Sequence, residues 1–396
     1  MDTHDPFGSK RMSGIEQFPR RCWAEIDLAA LERNLKAIQA TLPPHIRYIA
    51  VVKADAYGHG MHQTVARLMQ AGIDMYGVAN VAEAATIREI GGNGWSILIL
   101  GATLREEAQF LFEYDLIPTL SCPEEVAFLD AMARERGCVL KVHLKIDTGM
   151  GRLGIWHERA PELFDAVKAA THLQLNGIYT HFAHAETDIA FTDLQRRRFM
   201  SAISQIDWLP LDDLMIHADN SAGITSFTHD SAYNAVRIGL LQFGITPYAK
   251  SLFAKAQTSP IFSFKTRVSL VKTLPAGTDV SYGRTCTLQR ESRIAILCAG
   301  YGDGIPRSLS NKGLALISGQ KCPYLGRVTM DQIIVDVTDL PHAPAIGDEA
   351  CLIGAQGGSE ILLEEFSEWA GTISWEILCS ITKRVTRIYK TSIATG

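Results

Sequence analysis

Lys53 is the residue whose position is hardest to explain without chemistry. It ends the apolar run Ile49-Ala50-Val51-Val52, a strand-like stretch, and lysine is a poor choice for a buried strand end unless its amine is used. Held partly desolvated at the mouth of a strand, an amine is the nucleophile that forms Schiff bases with carbonyl cofactors such as pyridoxal phosphate. For one residue alone, a solvated lysine at a strand edge is the plainer reading. Here Tyr57 adds a phenolic donor, and Gly58 and Gly60 let the backbone approach a ligand closely. A turn-rich segment carries these residues to a helix-like pattern beginning near Met61.

Other reactive types gather in the same way, each just past an apolar run. Asp147-Thr148-Gly149-Met150-Gly151-Arg152 is one such segment, and His181, Asn220-Ser221 and Arg237 with Gly239-Leu240 are the others. Singly, an arginine serves as well as a salt-bridge partner and a histidine as a satisfied core residue. Together on one rim they suit a specific task. A phosphate needs backbone amides and hydroxyls, which Ser221, Gly239, Leu240 and Tyr57 supply. A carboxylate needs a fixed bidentate cation, and Arg152 in its glycine-rich loop fits that need. Arg237 opposite a pyridine nitrogen would keep that nitrogen unprotonated, because guanidinium does not readily give up a proton. The ring is then a weaker electron sink, which limits transamination and elimination. His181 would orient Arg237 or lie alongside the ring.

The elements that must position these groups are legible as alternating patterns. Strand candidates are Arg47–Lys53, Asp74–Val78, Ile97–Leu100, Leu116–Leu120, Val139–Ile146, Leu173–Thr180, Leu214–Ala218 and Ala235–Ile238. Helix-like stretches lie between most of them: Met61–Ala71, Ala82–Ile90, Pro123–Arg136, Pro161–Ala170 and Thr192–Ile206. That alternation predicts an α/β fold, a (β/α)8 TIM barrel with reactive groups at the carboxyl ends of its strands. A doubly wound open sheet competes, but no Gly-x-Gly-x-x-Gly follows the first strand. After Ser259 the pattern turns to short strands between Pro/Gly turns: Phe262–Thr273, Asp279–Tyr282, Ile294–Ala299, Leu314–Ser318, Gln332–Thr338 and Ala350–Ile353. Leu362–Ala370 is the clear helix there. The expected organisation is a loose leader over 1–20, a barrel over 21–255 and a mostly β C-terminal domain over 256–396. Residues 22–28 are strand-like and suited to pair with that second domain.

Composition narrows the function. The chain has 396 residues, 47% hydrophobic and 20% charged, too long for one ordinary core. A formal net charge of −5 gives no reason to expect nucleic-acid or membrane partners, and no run is long and apolar enough to span a bilayer. The eight cysteines show no Cys-x-x-Cys pair and the twelve histidines no metal-ligand spacing. A cytoplasmic protein without a metal is the expectation.

The segments 51–60 (VVKADAYGHG), 145–154 (KIDTGMGRLG), 179–182 (YTHF), 236–239 (VRIG), 281–283 (SYG), 300–304 (GYGDG) and 326–332 (GRVTMDQ) together resemble bacterial alanine racemases, in order and from about residue 21 to the C-terminus. The resemblance implies a pyridoxal 5'-phosphate enzyme of barrel-plus-β-domain architecture, a homodimer with shared active sites that supplies D-alanine for peptidoglycan. It matches Lys53 to the cofactor-bearing lysine and one of two bases, and Tyr282 to the opposite-face base from the other subunit. Tyr57, Ser221, Gly239 and Leu240 match phosphate ligands; Arg237 and His181 match the ring-nitrogen contact and its partner. Arg152 matches the carboxylate-facing arginine, and Tyr301 and Met330 match groups narrowing the substrate entrance. Lys145 matches a lysine that is carbamylated in some members, where it braces that arginine.

Two positions depart from the family pattern. Trp375 stands where a phosphate-binding tyrosine is usual, and Thr329 where a cysteine is common. Indole offers a donor only, so Trp375 bears on cofactor affinity rather than on the type of reaction. A narrow mouth favours alanine, with serine as a slower substrate. A decarboxylase of the same cofactor and fold would use a glycine-rich phosphate loop and an acidic partner for the ring nitrogen. A barrel that merely stores the cofactor would have no use for Tyr282, Tyr301 and Met330.

Overall fold

The computed structural model describes residues 19–185, 187–218, 233–245 and 256–391. Ser221 and the leader up to Phe18 lie outside them. The chain divides into two compact units: Ser263–Ile388 with the N-terminal residues through Glu25, and Ile26–Phe262 with Tyr389 onward.

Short parallel strands line the second of these units among the described residues: β1 (Arg47–Val51), β2 (Met75–Val78), β3 (Ser96–Ile99), β4 (Thr119–Leu120), β5 (Leu140–Asp147), β6 (Leu173–Tyr179), β7 (Met215–His217) and β8 (Ala235–Ile238), with the two-residue strand Ile155–Trp156 beside β5. Ladders join β8 to β1, β1 to β2 and β2 to β3, and likewise β4 through β7. The pairing of Leu98 with Ile117 links β3 to the approach of β4. The last seam, between β7 and β8, is closed by Asn234. Its backbone N–H donates to Ile216 O at 3.0 Å, its side-chain oxygen accepts from Ile216 N at 2.8 Å, and its amide donates to Leu214 O at 2.7 Å. Its carbonyl also accepts from Arg47 N at 2.8 Å, so one side chain does the work of a ladder rung.

The interior is filled as the alternation demands. Ile49, Met75, Leu98, Ile117, Met215 and Ala235 form one apolar layer contributed by successive strands. Around the barrel run α1 (Leu28–Gln39), α2 (Met61–Gln70), α3 (Val81–Gly91), α4 (Ala108–Glu113), α5 (Pro123–Glu135), α6 (Ala160–Ala169) and α7 (Ile189–Ile203). Asp27, Asn80 and Asp188 cap α1, α3 and α7 by accepting backbone N–H groups. The helix α1 was not among the expected elements, although buried Leu28, Leu31, Leu35 and Ile38 carry its stripe.

The segment after Lys53, expected as a turn, has an unusual form. Ala54, Asp55, Ala56 and Tyr57 all lie at φ of 53–54°, and Gly58 follows at 77°. Backbone bonds from Ala56 N to Val52 O and from Gly58 N to Ala54 O, both 2.9 Å, make this a turn of left-handed helix. Each of the four L-residues pays about 1–2 kcal/mol for that conformation. Gly58 bears no such penalty.

The other unit is a sheet. Its central strand β9 (Phe262–Leu274) turns Phe264, Thr266 and Val268 to one buried face. With β10 (Ser292–Leu297), β11 (Leu314–Ile317), β12 (Gln320–Pro323), β13 (Ile333–Asp336), β14 (Glu349–Gln356) and β15 (Thr386–Lys390), the sheet order is β12-β11-β14-β9, then Cys22–Asp27, then β15. The strand β10 pairs with both β9 and β13. Asp279–Tyr282, expected as one strand, stops at Val280. Ser281, Gly283 and Arg284 all take positive φ, which turns the chain sharply around Tyr282. A second helix, Ser374–Ser380, follows Leu363–Ala370 and begins just before Trp375.

Candidate active site

Most described candidates of the barrel unit sit at or just past the end of a strand. Lys53 follows β1, Lys145 and Asp147 end β5, His181 follows β6, and Arg237 lies in β8 with Gly239 and Leu240 after it. Arg152 stands exposed on the loop that follows β5. That loop is wound around Asp147, whose Oδ1 accepts the N–H groups of Gly149 and Met150 at 2.9 Å and of Gly151 at 3.1 Å. Gly149 and Gly151, at φ of 140° and 69°, make that winding possible. Arg198 of α7 ties it further by donating to Thr148 O at 2.9 Å.

Arg237 is 4% exposed and heavily bonded. It donates to the carbonyls of Thr180 and Ala218 at 2.9 Å and of His217 at 3.1 Å. It meets His217 Nδ1 at 2.6 Å, with His181 Nδ1 farther away at 3.4 Å. His181, the expected partner, is therefore the secondary one; His217 holds the guanidinium. Guanidinium can only donate, so His217 Nδ1 accepts and its Nε2 carries the proton. That Nε2 reaches His143 Nδ1 at 3.1 Å, and His143 Nε2 in turn faces Asn176 Oδ1 at 3.3 Å. One donor-only residue thus fixes the tautomers of two buried histidines in series.

Neither His217 nor His143 was singled out as a candidate. The available signal was a histidine inside each of two strands, flanked on both sides by apolar residues at His143 and preceded by them at His217, on a barrel where inward positions alternate.

The electrostatics of this cluster are strongly cationic. Burial, then the charges of Arg237, Arg152 and Lys53, push the Lys145 amine well below the usual lysine range despite Asp147. Burial and the same cations, with Lys145 added, hold His181 neutral. His217 is lowered likewise by burial and Arg237, and His143 falls to about 4, chiefly through burial. Tyr179 packs among them, its ring 4.6 Å from that of His217 and 4.2 Å from Lys145 Nζ. Its phenol, in hydrogen-bond contact with Thr119 at 2.8 Å, is pushed up to about 12 by burial. Cations gathered with neutral imidazoles suit an anionic ligand.

Tyr57 emerges from the left-handed turn beside Gly239: a Cβ built on that glycine would lie 2.7 Å from the Tyr57 hydroxyl. Phe243 supports both this ring, at 5.7 Å, and His59, stacked at 4.4 Å. Gly60 leaves room for the Tyr389 ring, so its lack of a side chain serves packing rather than ligand approach. In the β-rich unit, Tyr282, Tyr301 and Met330 are 71%, 43% and 52% exposed. Tyr301 N donates to Thr329 O at 3.0 Å and Gly302 N to Met330 O at 2.9 Å, which sets those two segments side by side. Trp375 is half-buried in that unit.

The alanine racemase N-terminal domain model matches residues 26–247 and the C-terminal domain model residues 261–389. The chain belongs to the alanine racemase family. An alanine racemase of Halothermothrix orenii is 39% identical over 96% of this chain and 99% of its own. One of Symbiobacterium thermophilum is 40% identical over 93% and 97%. Among solved structures, the alanine racemase of Clostridium difficile 630 superposes with a TM-score of 0.86 at 30% identity, covering 94% of this chain and 97% of that one. The alanine racemase of Bartonella henselae, solved with covalently bound pyridoxal phosphate, gives 0.84 at 29% identity, covering 94% and 100%. Alanine racemases use pyridoxal phosphate to interconvert L- and D-alanine, and this chain shares that chemistry with them. The donor set fits the group: an amine in Lys53, a donor-only guanidinium in Arg237, and a close-approach gap at Gly239 beside a phenol. The cation excess answers both a phosphate and a substrate carboxylate.

Proposed function

We propose that this chain racemises alanine with two bases on opposite faces of the α-carbon, Lys53 on one and the partner's Tyr282 on the other, as a homodimer. Pyridoxal phosphate, when bound, withdraws electrons from the α-carbon and makes its hydrogen acidic. The chain's own residues do the rest. Arg152 binds the carboxylate and fixes the substrate's orientation. Lys53 takes or returns a proton on its face, and Tyr282 does so on the other, because inversion requires donors on both sides. Arg237, held by His217, keeps the ring nitrogen unprotonated and so suppresses side reactions. Tyr57, Ser221, Gly239, Leu240 and Trp375 bind the phosphate, while Tyr301 and Met330 narrow the entrance to favour a methyl side chain.

Lys145 braces Arg152 as a carbamate. Its buried amine is driven toward the neutral form, the state that adds to carbon dioxide: an N–C bond forms and a proton leaves to solvent. The exposed aromatic and thioether side chains of Tyr282, Tyr301 and Met330 support coverage by a second subunit. The eight free cysteines suit a reducing compartment, and the product would feed peptidoglycan from the cytoplasm.

The observation that carries the reading is Arg237, a buried donor-only cation locked by a histidine where a stronger electron sink would need a carboxylate. The test is borohydride trapping of the purified protein with peptide mass analysis, beside polarimetry of L-alanine. Label on Lys53 and decay of rotation to zero are expected. Label on another lysine, or carbon dioxide release without racemisation, would overturn the assignment.

A further inference from the structure

Lys53 leaves β1 and at once enters the left-handed turn Ala54–Tyr57, a backbone state that four L-residues do not hold unaided. Two carboxylates take up N–H groups at its ends. Glu83, in the first turn of α3, accepts the Ala54 N–H through Oε1 at 2.7 Å and the Ala79 N–H through Oε2 at 2.8 Å. Asn80 caps the helix by accepting the Glu83 N–H at 3.0 Å, which fixes where that carboxylate points. Asp55 Oδ1 accepts the Met61 N–H at 2.6 Å and joins the far side of the turn to the start of α2. Ala79 directly follows β2, whose ladder with β1 pairs Val51 with Gly77. One glutamate therefore spans two neighbouring strand-to-helix loops and pins the residue after Lys53 to the strand next door.

We propose that Glu83 is a positioning residue for Lys53: its bidentate grip on Ala54 and Ala79 holds the left-handed turn and so aims the amine. The inference rests on the reading of Lys53 as the cofactor-bearing lysine. The geometry calls for a carboxylate in particular. Two backbone donors need two acceptor oxygens, and glutamine would set its own NH2 against one of them. A shift of the turn moves the amine on its strand-end pivot without disturbing the barrel core below. Reactions that depend on alignment lose rate steeply with such shifts.

The experiment compares Glu83→Gln with Glu89→Gln, an exposed position on the same helix, in the cofactor-loaded enzyme and after removal and return of the cofactor. For E83Q, kcat for L-alanine should fall about tenfold with KM within about twofold, and uptake of cofactor by the stripped protein should slow about fivefold. Borohydride label on Lys53 should fall in parallel while the thermal midpoint stays with that of E89Q. Glu83→Ala, which loses both bonds, should fall further in each readout. The inference is overturned if E83Q matches E89Q in kcat and uptake, or if its losses only track a lowered thermal midpoint. Label on a different lysine in the parent enzyme would instead remove the reading of Lys53 itself.

Discussion

His217 is the most exacting place to perturb this barrel. Replacing it with leucine, of similar volume, deletes the 2.6 Å bond from Arg237 and leaves His143 Nδ1 without its donor. A hydrogen bond to a charged group contributes about 1.5–3 kcal/mol, and a buried acceptor left unsatisfied costs about 1–3 kcal/mol. The single change should therefore destabilise by roughly 3–5 kcal/mol. His143→Leu breaks the same His143–His217 bond from the other end and orphans His217 Nε2–H and Asn176 Oδ1. In the double variant the shared bond is lost once and both orphans it created disappear. The double loss should fall short of the sum by about 1–3 kcal/mol. Urea unfolding at fixed protein and cofactor concentration, run on all four chains, reads this coupling directly. Losses additive within about 0.5 kcal/mol would refute the serial chain from Arg237 through both histidines.

Three further outcomes follow from the same geometry. Because burial holds the folded His143 at about 4, against 6.5 for an exposed histidine, the unfolded chain binds a proton that the folded one refuses between those values. Stability should thus be intact above pH 6.5 and fall by about 1.4 kcal/mol per unit toward pH 4 for this residue, with His181 and His217 adding in the same direction; a flat urea midpoint from pH 7 to 5 would contradict it. Tyr282→Phe should cut α-hydrogen exchange with D2O by about 10²–10⁴-fold for one enantiomer while leaving exchange of the other, as read by proton NMR; equal loss for both would remove Tyr282 from its face. Gly239→Ala should lower the thermal midpoint because its Cβ meets the Tyr57 hydroxyl at 2.7 Å, and the G239A/Y57F pair should lose less than the two changes summed.

The barrel was legible because most of its strands are short, largely apolar runs, several of them ending at or beside a residue that has no business in a core. Lys53 and Arg237 stand out that way from sequence alone. His143 and His217 do not, since a histidine in an apolar strand is equally a satisfied core residue. Only the lateral packing of strands brings together two rings 74 residues apart. The turn after Lys53 was hidden for a different reason: Ala-Asp-Ala-Tyr carries no residue that asks for positive φ, and only Gly58 hints at it. The stripe of α1 is clear in retrospect, but its tight junction to the preceding strand at Asp27 leaves no loop to announce it. At Tyr282, three departures into positive φ on either side of one aromatic residue override a locally strand-like composition.

Ala54 to Tyr57 also sit in the region of backbone space that belongs naturally to mirror-image building blocks. A semisynthetic chain carrying D-alanine at position 54 or 56 would relax there, by about 1–2 kcal/mol per exchanged residue, where the same exchange in α2 would break the helix. The peptide segment that follows Lys53 is thus itself wound against the chirality of its own constituents.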